Sequence, residues 1–293
     1  MKPLVTLVFV LLGLGVNAQT LVDPKLEQYA RQALVDGIKD YGDDVNQAGV
    51  VIMEVNTGNV VANVSLGQFR GKVKDIPDGN SEAVPPGISR AVLYLSMIDI
   101  LGPNFVVETG NGLYIDSISG CSITDISYKH GGFGTLTLKK AFDLSDVGII
   151  KAAEIAFNRN MGKYGTALKK TGIFFESYDE KDSIQDEESW DYWPSCEIIG
   201  YRRSPFSLYQ QTAWINMVAN QGKLVMRFNE SDPTAPICEV KNKAGIDSLG
   251  SAMFETVEYG TGIKMKSKYI RVAGLVNVSP ADAINCRVLQ DLV

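Results

Sequence analysis

Leu26, Tyr29, Ala30, Ala33, Leu34, Ile38 and Tyr41 recur every three or four residues, the spacing that lines one face of an α-helix. Asp23 is a good N-cap ahead of them. Pro24 suits the first helical position, where a missing N–H leaves no intrahelical bond unmade. The pattern predicts a helix over 23–41, ended by Gly42-Asp43-Asp44. The period then shortens. GVVIME at 49–54 and VVANV at 60–64 are β-branched apolar runs separated by Val55-Asn56-Thr57-Gly58-Asn59, which reads as a hairpin. Residues 66–84, polar and rich in Gly and Asp, read as a surface loop.

Pro85-Pro86-Gly87 introduces a helical stretch over 88–101. Residues 110–134 are glycine-rich with short strands, and 138–158 reads as a long helical region. A further helix covers 207–220, closed by Gln221-Gly222, and strands return at 263–265, 269–278 and 285–292. This order describes an α+β domain: one antiparallel sheet built from both chain ends, with helices packed on it.

Ahead of the first helix, Lys2 precedes an apolar run over 4–16, and Val16-Asn17-Ala18 stands before Gln19. That is the layout of a secretory signal peptide, and the run is shorter than the ~20 residues that span a bilayer. The expectation is a leader over 1–18 and one exported domain over 19–293, periplasmic or secreted, with no transmembrane segment. A formal net charge of −6 argues against nucleic acid or an anionic membrane surface as a partner. The acidity is partly local, because ESYDEKDSIQDEESWD at 176–191 has the composition of a solvated loop. Four cysteines, Cys121, Cys196, Cys238 and Cys286, allow one or two disulfides in an oxidising compartment, with the pairing open. One histidine, His130, and no C-x-x-C leave no expectation of a metal site or other cofactor.

Six segments, in order, resemble the transpeptidase domain of class B penicillin-binding proteins, the cell-division type in particular. LVDPKLEQYARQAL is similar to the helix that opens that domain, and GVVIMEVNTGNVVANVSL to its first hairpin. VPPGISRAVLYLSMID resembles the segment bearing the nucleophile, and HGGFGTLTLKKAFDLSDVGIIKAAEIAF the stretch holding the second motif. IGYRRSPFSLYQQTAWINMVANQGKLV resembles the family's helix after a T-P, which ends in A-N-x-G, and VEYGTGIKMKSKYIRVAG the approach to the third motif. The resemblance implies the penicillin-binding protein/β-lactamase-like fold. It also implies a chemistry in which a serine attacks a D-Ala-D-Ala peptide or a β-lactam. In that family S-x-x-K supplies the nucleophile and its proton acceptor. S-x-N relays protons and orients the substrate, and K-T-G supplies positive charge and anchors the substrate carboxylate.

The matching positions here hold other residues. Ile88 stands where the nucleophile is expected and Ala91 at the lysine position; moving the register by one gives Ser89 followed by Val92. The second motif falls on Ser145-Asp146-Val147, and the third on Leu275-Val276-Asn277. Of the motif side chains only Ser145 matches. The resemblance therefore implies a catalytically inactive homologue, a binding or scaffold protein whose partners are peptidoglycan peptides or wall-synthesis and division proteins. One alternative is an active acyl-serine enzyme using Ser89, Ser145, Lys139 and Lys140. Another is a binder of a different ligand in an apolar cleft lined by Trp190-Asp191-Tyr192-Trp193.

Overall fold

The computed structural model describes residues 20–41, 47–76, 88–117, 120–173, 193, 195–199 and 207–275. The opening helix α1 is Pro24–Tyr41, capped by the Asp23 carboxylate through the Lys25 N–H at 2.8 Å. It lies on an antiparallel sheet of β1 (Gln47–Met53), β2 (Val60–Phe69) and β3 (Lys72–Asp75), in that order. Ala30 and Ile38 of α1 meet Val64 and Leu66 of β2 in a small apolar core. β2 alternates buried and half-buried residues over most of its length, the period-two pattern of a strand with one covered face. β2 thus runs past Val64 into the expected loop, and β3 lies wholly within that loop. Lys72 and Lys74 on β3 are exposed, a usual way of blunting a sheet edge.

The larger core surrounds α2 (Ser89–Leu101), in which every residue from Arg90 to Ile98 is buried. A helix apolar on all sides has no wet face and must be enclosed. After β4 (Val106–Gly110), β5 (Leu113–Ile115), β6 (Ser122–Thr124) and β7 (Gly134–Thr137), the helices α3 (Leu138–Leu144), α4 (Asp146–Phe157) and α5 (Met161–Lys169) supply part of that enclosure. The expected single helical region over 138–158 is broken at Ser145, whose backbone is extended (φ −142°, ψ 107°). A short helix α6 (Ser195–Ile198) and then α7 (Leu208–Ala219) follow, α7 opened by a Ser207–Gln210 capping box. β8 (Lys223–Leu224) pairs with β9 (Cys238–Glu239), and α8 (Lys243–Tyr259) closes the core against α2, α3 and α7.

Two features depart from the sequence expectation near the end of the chain. Ile263–Met265 is a 3-10 turn, not a strand, and no strand forms over 269–275. Residues 276–293, with the strand expected at 285–292, lie outside the described residues. Neither α5 nor α8 was anticipated. Cys121 is bonded to Cys196, joining the turn before β6 to α6, while Cys238 is free. No helix among the described residues is long and apolar enough to cross a membrane.

The β1–β2 turn is clamped from outside. Glu54 accepts from Thr57 Oγ1 at 2.7 Å and from Asn59 Nδ2 at 2.9 Å, and the Arg227 N–H donates to the Gly58 carbonyl at 2.8 Å. Gly58 has φ +69°, and a Cβ there would stand 2.3 Å from the Val225 carbonyl oxygen. Gly58→Ala therefore meets both a left-handed backbone and a backbone clash. The expected loss is about 2–4 kcal/mol in urea unfolding, against about 1 kcal/mol for a Gly71→Ala control, which shares the left-handed backbone (φ +72°) but whose Cβ meets nothing within 4 Å.

Candidate functional site

The first and second motif segments come together, but through residues other than the motif letters. Ile88, at the N-cap of α2, offers no side-chain oxygen to the helix and is buried in the main core. Ala91 is fully enclosed and Val92 buried with it. Ser89 is half-buried at the first helical position. Between Ser89 and Ala91 stands Arg90. Its Nε donates to Asp146 Oδ1 at 2.9 Å and its Nη2 to the same oxygen at 2.5 Å. Its Nη1 donates to the carbonyls of Phe142 and Asp143 at 3.0 and 3.1 Å. The guanidinium thus ties the start of α2 to the C-terminus of α3 and the first turn of α4.

Ser145 closes α3 and opens α4. Its side chain is fully buried, with Oγ accepting from the Gly148 N–H at 2.7 Å and donating to Asp125 Oδ2 at 2.5 Å. The other Asp125 oxygen accepts from the Val147 N–H at 3.1 Å. The Val147 side chain is itself enclosed in the core. Burial pushes the Asp125 carboxyl above its ordinary range, opposed by the bonds from Ser145 and Val147. The folded form therefore favours the proton on Asp125, and this contribution to stability fades as pH rises past the unfolded carboxylate range.

The third segment approaches the same region from α8. Asp143 Oδ1 accepts from the Thr261 N–H at 3.1 Å and from Thr261 Oγ1 at 2.8 Å, and the Gly274 N–H donates to the Met253 carbonyl at 3.0 Å. Leu275 is half-buried against the main core. Val276 and Asn277 lie outside the described residues. Lys139 is held by Ser251 at 2.9 Å and by Glu255 at 2.5 Å, and Lys140 is exposed.

Of the aromatic stretch at 190–193, only Trp193 is among the described residues. It is buried, with its ring 5.7 Å from Tyr164 and 6.3 Å from Phe157. Nearby, Tyr114 donates to Glu154 at 2.6 Å and bonds Ser195 at 2.9 Å, and its hydroxyl is pushed up to about 12, chiefly by burial. His130 is exposed in a 3-10 turn. No group of three His, Cys, Asp or Glu among the described residues is placed to hold a metal ion. A shallow cavity of about 430 Å³ is lined by Ile100, Phe157, Asn160, Lys163 and Lys170. It lies at the C-terminal end of α2, whereas the motif positions lie at its start.

Arg90, Asp125, Asp143 and Asp146 carry the polar contacts of this region, and none was singled out by the sequence motifs. Arg90→Met would take the guanidinium away from the half-buried Asp146 and from the Phe142 and Asp143 carbonyls, at a cost of about 3 kcal/mol; Arg90→Met/Asp146→Leu should recover most of it, measured by urea unfolding. Asp125→Ala would strand the Ser145 hydroxyl and the Val147 N–H, costing about 2–4 kcal/mol. Asp125→Asn, which can accept from Val147 and donate to Ser145, should stay within about 1 kcal/mol of the parent at pH 7.

Comparison with solved structures gives the fold a setting. The apo transpeptidase domain of Burkholderia pseudomallei penicillin-binding protein 3 is 20% identical over 90% of this chain and 78% of that one, with a TM-score of 0.64. A peptidoglycan glycosyltransferase from Burkholderia ambifaria is 19% identical over 87% and 79%, with a TM-score of 0.64. The D,D-transpeptidase domain of a peptidoglycan glycosyltransferase from Eggerthella lenta is 15% identical over 87% and 70%, with a TM-score of 0.65. The chain has the fold of penicillin-binding protein transpeptidase domains. No protein-family model and no curated protein matches its sequence.

Proposed function

We propose that this chain is an exported relative of the penicillin-binding protein transpeptidases that has given up acyl transfer and works as a binding or scaffold protein of the cell envelope. In this reading residues 1–18 are its leader, and 19–293 one domain. The observation that carries it is the occupancy of the motif positions. A serine hydroxyl attacks a carbonyl only when a neighbour takes its proton. The position of that neighbour holds Ala91, fully enclosed, and the nucleophile position holds Ile88. Ser145 has its hydroxyl committed on both sides and no exposed surface. Ser89 has Val92 one turn on, buried in the core and unable to take a proton. Lys139 is engaged with Glu255. The alternative apolar cleft draws no support from Trp193, whose ring is spent on Phe157 and Tyr164.

The partner class follows the neighbours by analogy. Peptidoglycan stem peptides, or proteins that build the wall, are the natural candidates for a chain that keeps the shape without the reaction. Purified protein incubated with a fluorescent penicillin should keep its unmodified intact mass while remaining folded by circular dichroism. A stoichiometric adduct would sink the proposal, and the labelled serine would identify the nucleophile.

A further inference from the structure

The last turns of α8 and the chain returning beside them form a surface unlike the rest of the protein. From Tyr259 to Leu275 the sequence carries Lys264, Lys266, Lys268 and Arg271 and no carboxylate, in a chain whose net charge is −6. The same stretch exposes Tyr259, Ile263, Met265, Tyr269 and Ile270; Tyr269 is 83% and Ile270 69% accessible.

These residues belong to one strip. Lys266 pairs with Glu258 at 2.7 Å and lies over the Tyr259 ring. Further along, Arg271 lies over Phe254, with its guanidinium carbon 4.4 Å from the ring centroid. Finally Gly274 bonds the Met253 carbonyl. As the return segment advances from 266 to 274, its contacts step back along α8 from 259 to 253. It is therefore laid antiparallel against the helix, with alternating cations and apolar side chains on its outside. Glu258 is answered by Lys266, Glu255 by Lys139, and Asp143 by Thr261. Lys264, Lys268 and Arg271 have no ion-pair partner among the described residues.

We propose that this strip is a peripheral docking surface for an anionic lipid bilayer. The chemistry distinguishes that partner from a soluble polyanion. Tyrosines beside aliphatic side chains suit the headgroup boundary, where a ring buries its body and keeps its hydroxyl wet. Lysine stems lie along the apolar zone while their ammonium groups reach the phosphates. A binder of phosphate alone gains nothing from exposed Ile263 and Ile270. The overall negative charge does not oppose this, because charges farther away than about 10 Å are screened at 0.1 M salt, whereas clustered cations act together on a charged membrane. The inference does not depend on whether the old acyl-transfer cleft is active.

The test is sedimentation of the chain from Gln19 onward with vesicles of phosphatidylcholine alone, or with about 30% phosphatidylglycerol added to give the surface a negative potential. Binding is expected only to the anionic vesicles and should weaken with added salt. Lys264→Gln/Lys268→Gln should lower it about 30-fold, and Tyr269→Ser/Ile270→Ser should lower it about tenfold or more, both with unchanged thermal unfolding. Amine-reactive footprinting should modify Lys264 and Lys268 in the free protein and spare them on vesicles. Equal binding to both vesicles, or to neither, overturns the proposal. So does vesicle binding that the apolar variant leaves intact, which would mark attraction to surface charge alone with no insertion of the strip. Unreactive lysines in the free protein also overturn it, since residues 276–293 would then cover the strip.

Discussion

A guanidinium in a helix with no wet side has to be answered where it stands. Arg90 lies in the run of α2 that is buried at every residue, too early and too enclosed for its side chain to reach water. Its partners are the Asp146 carboxylate and two carbonyls at the end of α3. Those carbonyls are free only because the chain breaks at Ser145; in a continuous helix they would accept from residues four positions on. Arg90 also places positive charge at the negative end of the α3 dipole. One charge thus fixes α2, α3 and α4 relative to each other, and Asp143 extends the arrangement to the turn after α8.

The sequence made some of this legible. α1 and the hairpin announced themselves through apolar spacing, α1 also through the Asp23 cap, while α2 and α7 were marked by the turn residues Pro85-Pro86-Gly87 before one and Gln221-Gly222 after the other, signals that are local. α8 was missed although Ile246, Leu249, Met253 and Val257 are spaced for a helix, because Gly245 and Gly250 and two serines, Ser248 and Ser251, dilute the pattern. The break at Ser145 was hidden for the opposite reason. Leu138, Ala141, Phe142, Ile149, Ala152 and Ala153 keep helical spacing straight through the break, and only the serine's tendency to cap a following turn distinguishes two helices from one. β3 sits among glycines and lysines that read as loop, and it forms because β2 offers it an edge.

The candidate site was legible only in outline. Resemblance pointed to three segments, and the structure brings the first two together. Which side chains would meet was beyond local reading, since Arg90 and Asp146 are 56 positions apart and Asp125 and Ser145 are 20 apart. Such pairs leave no periodicity behind. The same holds for Cys121 and Cys196, whose pairing accompanies a network of Tyr114, Glu154 and Ser195 that anchors α6. Charge composition is blind in a related way: a sum over the whole chain does not locate Lys264, Lys266, Lys268 and Arg271 on one strip, where among the described residues Lys266 alone is paired, with Glu258.

Ser145 carries a lesson about reading motifs by letter. Its hydroxyl is required wherever this backbone turns from α3 into α4, because the Gly148 N–H would otherwise be buried without an acceptor. A requirement of that kind acts on folding and is indifferent to turnover. A signature scan that counts a surviving serine as a vestige of an active centre is therefore open to a false positive here. The informative letters are those with no architectural duty, and Ala91, enclosed in the core, stands where the resemblance leads one to expect such a letter.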